Sequence, residues 1–295
     1  MKSLIDLHMH SLASDGEDTI VKLWSKIKGL GIRCFALTDH DTVVGVQEME
    51  DLIAADERAD VSFIRGIEFS CITPVGKCHI LGYGYDWDHP AFCAVLEKGA
   101  VRRREKLEQR LEFLREKYDI EFTEADIKDM RQNPSVGKPH IAKLMKKMGK
   151  AVSVGEAIEN YIDHCPTKDS RMPADEVIQA VKASGGIAVW AHPYGDDADE
   201  SKYLSDEDFR AQLKCLLELG IQGLECYYSR YTKTRIETLA ACALENGMYI
   251  SGGSDYHGCE DKPELGTLNA DGICVNPSQL TVLQPLNTGD FVGKG

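Results

Sequence analysis

Positive charge is scarce in this sequence. Across 295 residues, 34 Lys and Arg face 48 Asp and Glu, a formal net charge of −14. Nucleic-acid backbones are held mainly by Lys and Arg, so no extended nucleic-acid footprint is expected. A small phosphorylated ligand is not excluded, because bound metal ions reverse the field inside a site. No apolar stretch approaches the length of a membrane span, so no membrane partner is expected. The opening Met1-Lys2-Ser3-Leu4-Ile5-Asp6 has no apolar run of signal-peptide type. None of the ten cysteines forms a Cys-x-x-Cys pair, which argues against a zinc ribbon or a thioredoxin-type motif. The simplest reading is a cytoplasmic chain with reduced thiols, most of them small core residues. Repeats and low-complexity tracts are absent as well.

What is present is an alternation of short apolar runs and helical patterns. Strands are expected at Leu4–Leu7, Cys34–Thr38, Phe63–Phe69, Lys77–Tyr83, Ile187–Trp190, Gly223–Tyr227 and Tyr249–Ser251. Helices at Thr19–Leu30, Val44–Ala55, Asp175–Ser184, Glu207–Leu219 and Tyr231–Asn246 show apolar residues at helical spacing. Strand-then-helix order implies a mainly parallel sheet, and about seven strands suggest a (β/α) barrel. Residues 89–170 break the pattern with helices only, beginning with a long charged one over Val95–Tyr118. The chain is therefore divided into an α/β barrel, 1–88 and 171–295, and a helical insertion or cap, 89–170.

The polar residues that stand out sit where strands end, the rim on which (β/α) barrels assemble chemistry. His8 and His10, two apart, project from one side of a strand. Asp15 lies in the next turn. His40 follows the second strand, with Asp39 placed to orient a ring nitrogen, and Asp6 is given the same supporting role. Glu68 is a carboxylate in an apolar strand, costly unless paired or metal-bound, and it is the bridging candidate. His79, His192, Asp255 and His257 complete the set; His79 alone would read as a satisfied core histidine. Nine ligands suit two or three ions rather than one. A donor set of N and O atoms without thiolate favours Mn2+, Fe2+, Zn2+ or Mg2+ over copper. Such a cluster lowers the pKa of a bound water and clamps a phosphoryl oxygen, the chemistry of phosphate ester hydrolysis.

These segments resemble the PHP (polymerase and histidinol phosphatase) family: Asp6-Leu7-His8-Met9-His10, Thr38-Asp39-His40-Asp41, Gly66-Ile67-Glu68, His79, Ala191-His192-Pro193 and Gly253-Ser254-Asp255-Tyr256-His257. The resemblance implies a distorted (β/α)7 barrel with a trinuclear site. One ion would take His8, His10, Glu68 and Asp255, a second Glu68, His79 and His192, and a third Asp15, His40 and His257. In the insertion, Gly137-Lys138-Pro139-His140-Ile141-Ala142 looks like a segment of one subgroup. That subgroup holds nucleoside 3′,5′-bisphosphate phosphatases, 5′-end exonucleases and cyclic-phosphate hydrolases. The sequence departs from it at Lys138, where Arg is usual, and after Tyr161.

The expected activity is a metal-dependent phosphoesterase acting on a small phosphorylated metabolite, with two or three divalent ions. Lys138, His140, Arg171 and Arg230 are the expected substrate-binding residues, with Lys168 a further basic candidate. The run Arg102 to Arg110 is read mainly as a solvated helix face. The rival activities are a 5′–3′ exonuclease on short oligonucleotides, a histidinol-phosphate phosphatase and a non-catalytic metal-binding regulatory domain.

Overall fold

The computed structural model describes residues 2–57, 59–166, 170–259 and 263–286. Lys168 lies outside the described residues. The chain runs through β1 (Ile5–Asp6), α1 (Ile20–Leu30), β2 (Cys34–Leu37), α2 (Val44–Ala55), β3 (Ser62–Ile72) and β4 (Lys77–Tyr83). Then come α3 (Pro90–Tyr118), α4 (Glu124–Gln132), α5 (Lys138–Lys147) and α6 (Val154–Asn160). The chain returns through β5 (Met172–Pro173), α7 (Ala174–Ala183), β6 (Ile187–Trp190), α8 (Asp206–Leu219), β7 (Gly223–Tyr228), α9 (Lys233–Glu245) and β8 (Tyr249–Gly253).

Local chemistry sets the element ends. Thr19 caps α1 by accepting the Lys22 N–H, and Gly31 closes it in the left-handed conformation at φ 70°. Between these ends Ile20, Leu23, Trp24 and Ile27 form the buried stripe. All residues of β2 and β6 are buried, as strands covered on both faces require.

The main sheet follows the order β1-β2-β3-β4-β6-β7-β8, and β5 pairs with the end of β3 off this path. Its ends meet. The Leu7 N–H donates to Gly252 O and the Asp255 N–H to His8 O at 2.8 Å, while Met9 bridges Tyr256. The result is the expected barrel of seven strands, distorted at one place. β4 is antiparallel to both β3 and β6. The reason is the connection: residues 73–76 form a hairpin, whereas a parallel partner needs a crossover of about a dozen residues. The hairpin also carries β3 on to Ile72, so Glu68 sits within its strand rather than at the end.

The helices between β4 and β5 have a core of their own. Leu107, Leu114, Ile120, Met130, Val136, Ile141 and Met145 pack together apart from the barrel core. Fully burying a Leu such as Leu114 contributes roughly 2 kcal/mol. α3 joins the two regions: its first turns bury Phe92 and Val95 against the barrel, and its last turns bury Leu107 and Leu114 in the helical core. Among the described residues no helix is long and apolar enough to cross a membrane.

Candidate metal centre

Backbone strain marks the rim. Four non-glycine residues of the described chain have positive φ, and three are Asp41 (52°), His192 (26°) and Asp255 (56°). Such conformations cost about 1–3 kcal/mol each and persist only where surrounding structure fixes them. Gly253 provides another constraint. A Cβ there would lie 2.2 Å from His8 Cβ and 2.4 Å from His8 N. Glycine is what lets β8 pass directly behind the His-x-His segment.

All nine expected ligands converge, and Glu68 stands at the centre. Its Oε2 lies 3.1 Å from His8 Nε2, 3.2 Å from His10 Nε2 and 3.4 Å from His40 Nδ1. Its Oε1 lies 2.9 Å from both His79 Nδ1 and His192 Nε2. Asp255 Oδ1 is 3.5 Å from His8 Nε2 and 3.2 Å from His10 Nε2. Asp15 Oδ1 is 3.5 Å from His257 Nε2, and its Oδ2 is 3.9 Å from His40 Nε2. The His10 and His257 rings stack with centroids 4.3 Å apart. Donor atoms gather at cation-binding spacing in three groups: His8, His10, Glu68 and Asp255; His10, Asp15, His40 and His257; and His40, Glu68 and His79. The first coincides with the expected set. The second adds His10, and the third has His40 where His192 was expected, although His192 shares Glu68 Oε1 with His79.

The donor set fits divalent cations on two grounds. Both ring nitrogens of His10, and Nδ1 of His40, are buried without a hydrogen-bond partner. His10 Nε2 approaches two carboxylates without hydrogen-bond alignment. A buried unsatisfied group costs roughly 1–3 kcal/mol, which coordination would remove. The second ground is charge. Burial works against protonation of His10 and His192, yet Glu68, joined at His10 by Asp255, outweighs it and raises them to about 10 and about 9. Burial disfavours the Glu68 carboxylate too, and the imidazoles around it hold it well below its ordinary range. The pocket therefore has a strongly negative field that favours any cation. His40 is the exception, pushed down to about 4 by burial.

Asp6 and Asp39 lie behind the cluster in a different role from the expected one. Asp39 touches no ring nitrogen of His40. It accepts from Ser11 N (2.7 Å), Ser11 Oγ (2.6 Å) and Ser14 Oγ (2.6 Å), fixing the loop that carries Asp15. Asp6 accepts from Ser254 N, Ser254 Oγ, Gly266 N and His8 N. Each carboxylate ties backbone segments together. Short serines next to the ligands are the sequence trace of this, legible only once the loops are folded.

A cavity of about 460 Å³ opens between cluster and insertion. Asp15, His40 and His79 form one wall. The remainder includes Lys77, Arg103, Lys106, Arg110, Lys138 and Arg171, with Asp41 and Asp163 as the other carboxylates. Six basic side chains thus converge on one cavity of a protein that is acidic overall. Of the expected substrate-binding residues, Lys138, His140 and Arg171 line it, and Arg230 does not. Arg230 instead acts on Asp197 and Tyr203. Lys138 pairs with Asp163, so the two places where the sequence departs from its subgroup are in contact. His140 has both ring nitrogens engaged. Nδ1 accepts the Gly137 N–H at 3.1 Å, which leaves Nε2 to donate to Ser14 O at 2.7 Å.

Arg103 and Arg110 overturn the solvated-face reading of α3. Arg103 pairs with Asp41 and donates to Ser70 Oγ at 3.2 Å. Arg110 is 7% exposed, its Nε has no hydrogen-bond partner, and no ion pair is found for it among the described residues. Burial, joined by the charges of Arg103 and Arg171, lowers it to about 10. The signal was in the spacing: Arg103, Leu107, Arg110 and Leu114 are four, three and four apart, one helix face. The other omission is Glu225, fully buried in β7. The reasoning that singles out Glu68 applies equally to a carboxylate between Leu224 and Cys226.

A PHP domain model matches residues 6–133. A 5′-3′ exoribonuclease of Haemophilus influenzae is 32% identical over 269 residues, 87% of this chain and 91% of the relative. The chain belongs to the PHP family. A 3′,5′-nucleoside bisphosphate phosphatase of Chromobacterium violaceum is 27% identical over 266 residues, covering 86% of this PHP chain and 87% of the relative. A solved structure from Bifidobacterium adolescentis, described as a metal-dependent phosphoesterase, superposes with a TM-score of 0.74 at 25% identity over 98% of both chains. This PHP chain is a hydrolase of phosphate esters, and its clustered His, Asp and Glu groups are candidate ligands for metal.

Proposed function

We propose that this chain uses two or three divalent cations to hydrolyse a small phosphate ester bearing a second anionic group. The substrate is of the nucleoside 3′,5′-bisphosphate type, losing inorganic phosphate in one hydrolysis, or of the ribose (cyclic) phosphate type, in which a cyclic ester is first opened to a phosphomonoester and a second hydrolysis releases inorganic phosphate. One observation carries the reading: the edge of the histidine–carboxylate cluster and six basic side chains face the same cavity. Its volume of about 460 Å³ falls in the range of small-molecule sites.

His8, His10, Glu68 and Asp255 would hold one cation, Glu68, His79 and His192 a second, and Asp15, His40 and His257 a third. Mn2+, Fe2+ and Zn2+ suit these donors. The chemistry such ions would supply there is neutralisation of phosphoryl charge and activation of water. Glu68 would serve the first two sets together, because its two oxygens face different histidines. Arg110, Lys106 and Arg171 take the second phosphate. Lys138 is neutralised by Asp163 and tunes the cavity rather than carrying the anion. His140 latches the insertion onto the Asp15 loop.

The exonuclease reading is favoured by the H. influenzae relative and opposed by the net charge of −14, which suits no long strand. A hydrolysis screen separates the two, read by phosphate release for monoesters and by chromatography of the nucleotide or opened-ring product for diesters. It would include nucleoside 3′,5′-bisphosphates, ribose cyclic phosphates, histidinol phosphate and short oligonucleotides, each with Mn2+. Preference for a small bisphosphate or cyclic phosphate is expected, and a higher kcat/KM on oligonucleotides would replace this reading with the second. Asp255→Ala and His192→Ala should abolish turnover in folded protein; full activity in both would overturn the site.

A further inference from the structure

The Glu225 carboxylate sits at the base of the cluster and approaches no candidate cation position itself. Its Oε1 is 2.9 Å from His8 Nδ1, and its Oε2 accepts the His192 backbone N–H at 2.7 Å. Those two histidines reach opposite oxygens of Glu68, His8 at Oε2 and His192 at Oε1. Their rings lie 5.8 Å apart and nearly parallel, at 23°. His192 holds a φ of 26°, a conformation that needs external support.

We propose that Glu225 is a positioning residue that sets both the tautomer of His8 and the placement of His192. The inference rests on the metal reading above. A carboxylate facing Nδ1 makes that nitrogen the N–H donor. The lone pair is then on Nε2, the atom turned toward Glu68 and Asp255, which is the form a cation requires. The other oxygen of the same carboxylate holds the His192 backbone in its strained conformation. One side chain thus fixes the separation of two histidines assigned to different cations. A neutral amide of the same shape cannot do both. If its oxygen takes the His192 N–H, its NH2 faces His8 Nδ1, which must become an acceptor and move the proton to Nε2. If the oxygen turns to His8, the NH2 opposes the His192 N–H.

The test is Mn2+ titration of the full chain, wild type against Glu225→Gln and Glu225→Asp. Bound metal per chain is counted after desalting, and the His8 tautomer is read by 15N NMR on the Zn2+-loaded protein. The expected Glu225→Gln result is loss of at least one equivalent, affinity weaker by roughly 10–100-fold, and His8 no longer in the Nδ1–H form. Glu225→Asp keeps the carboxylate and should keep the Nδ1–H form with affinity between the two. Glu225→Gln with wild-type stoichiometry, affinity and tautomer overturns the proposal. Should Glu225→Gln fail to fold, wild-type affinity in Glu225→Asp overturns it and an intermediate affinity supports it. Wild-type protein that binds no Mn2+ would instead sink the metal reading on which this rests.

Discussion

Arg110→Met separates stability from function. Arg110 is 7% exposed, and burial with two neighbouring guanidinium groups lowers its pKa to about 10. At about 1.4 kcal/mol per tenfold, holding that charge costs the folded state roughly 3 kcal/mol. The sign follows from linkage. Below about 10 the guanidinium is charged both folded and unfolded, so the cost is complete at neutral pH and fades only as pH rises above it. Met keeps much of the side-chain stem and removes the charge. Allowing for lost packing, Arg110→Met should be more stable by about 1–3 kcal/mol, a rise in Tm of several degrees. It should also lose a charge-assisted bond to the second phosphate worth about 1.5–3 kcal/mol. That is roughly 10–150-fold in kcat/KM for a nucleoside 3′,5′-bisphosphate, with little change for an ester lacking the second phosphate. Thermal melts and phosphate release on the paired substrates check both signs. A less stable variant, or equal losses on both substrates, would show that Arg110 is a structural residue.

Metal removal should lower stability. EDTA takes away the charge that offsets buried Glu68 and Asp255 and half-buried Asp15, so Tm should fall and recover on adding Mn2+ in excess; an unchanged Tm argues against a tight site. His140→Ala breaks the 2.7 Å bond to Ser14 O at a cost of about 1–2 kcal/mol. Amide exchange across residues 11–18 should quicken, and protection equal to wild type would remove the latch. Gly253→Ala puts a Cβ 2.2 Å from His8 Cβ. It should destabilise by about 1–3 kcal/mol or more and weaken Mn2+ binding; a melt and metal content at wild-type values would refute the close approach.

The sequence by itself determined the barrel and the membership of the cluster. Period-2 spacing of His8 and His10, strand-then-helix order and apolar runs ending in His or Asp are local patterns. In a barrel those endings fall on one rim. The antiparallel β4 was implicit too, in the four residues between Ile72 and Lys77. Tertiary structure alone decided how the polar residues pair. Asp39 turned from His40 to Ser11 and Ser14, and His140 spent both nitrogens on a latch. Lys138 met Asp163, and Asp6 took up Ser254 and Gly266. These outcomes depend on distances between segments far apart in the chain, which no local spacing encodes. Hydrophobic periodicity reports which face of an element is covered; only packing says which charged group meets which partner there.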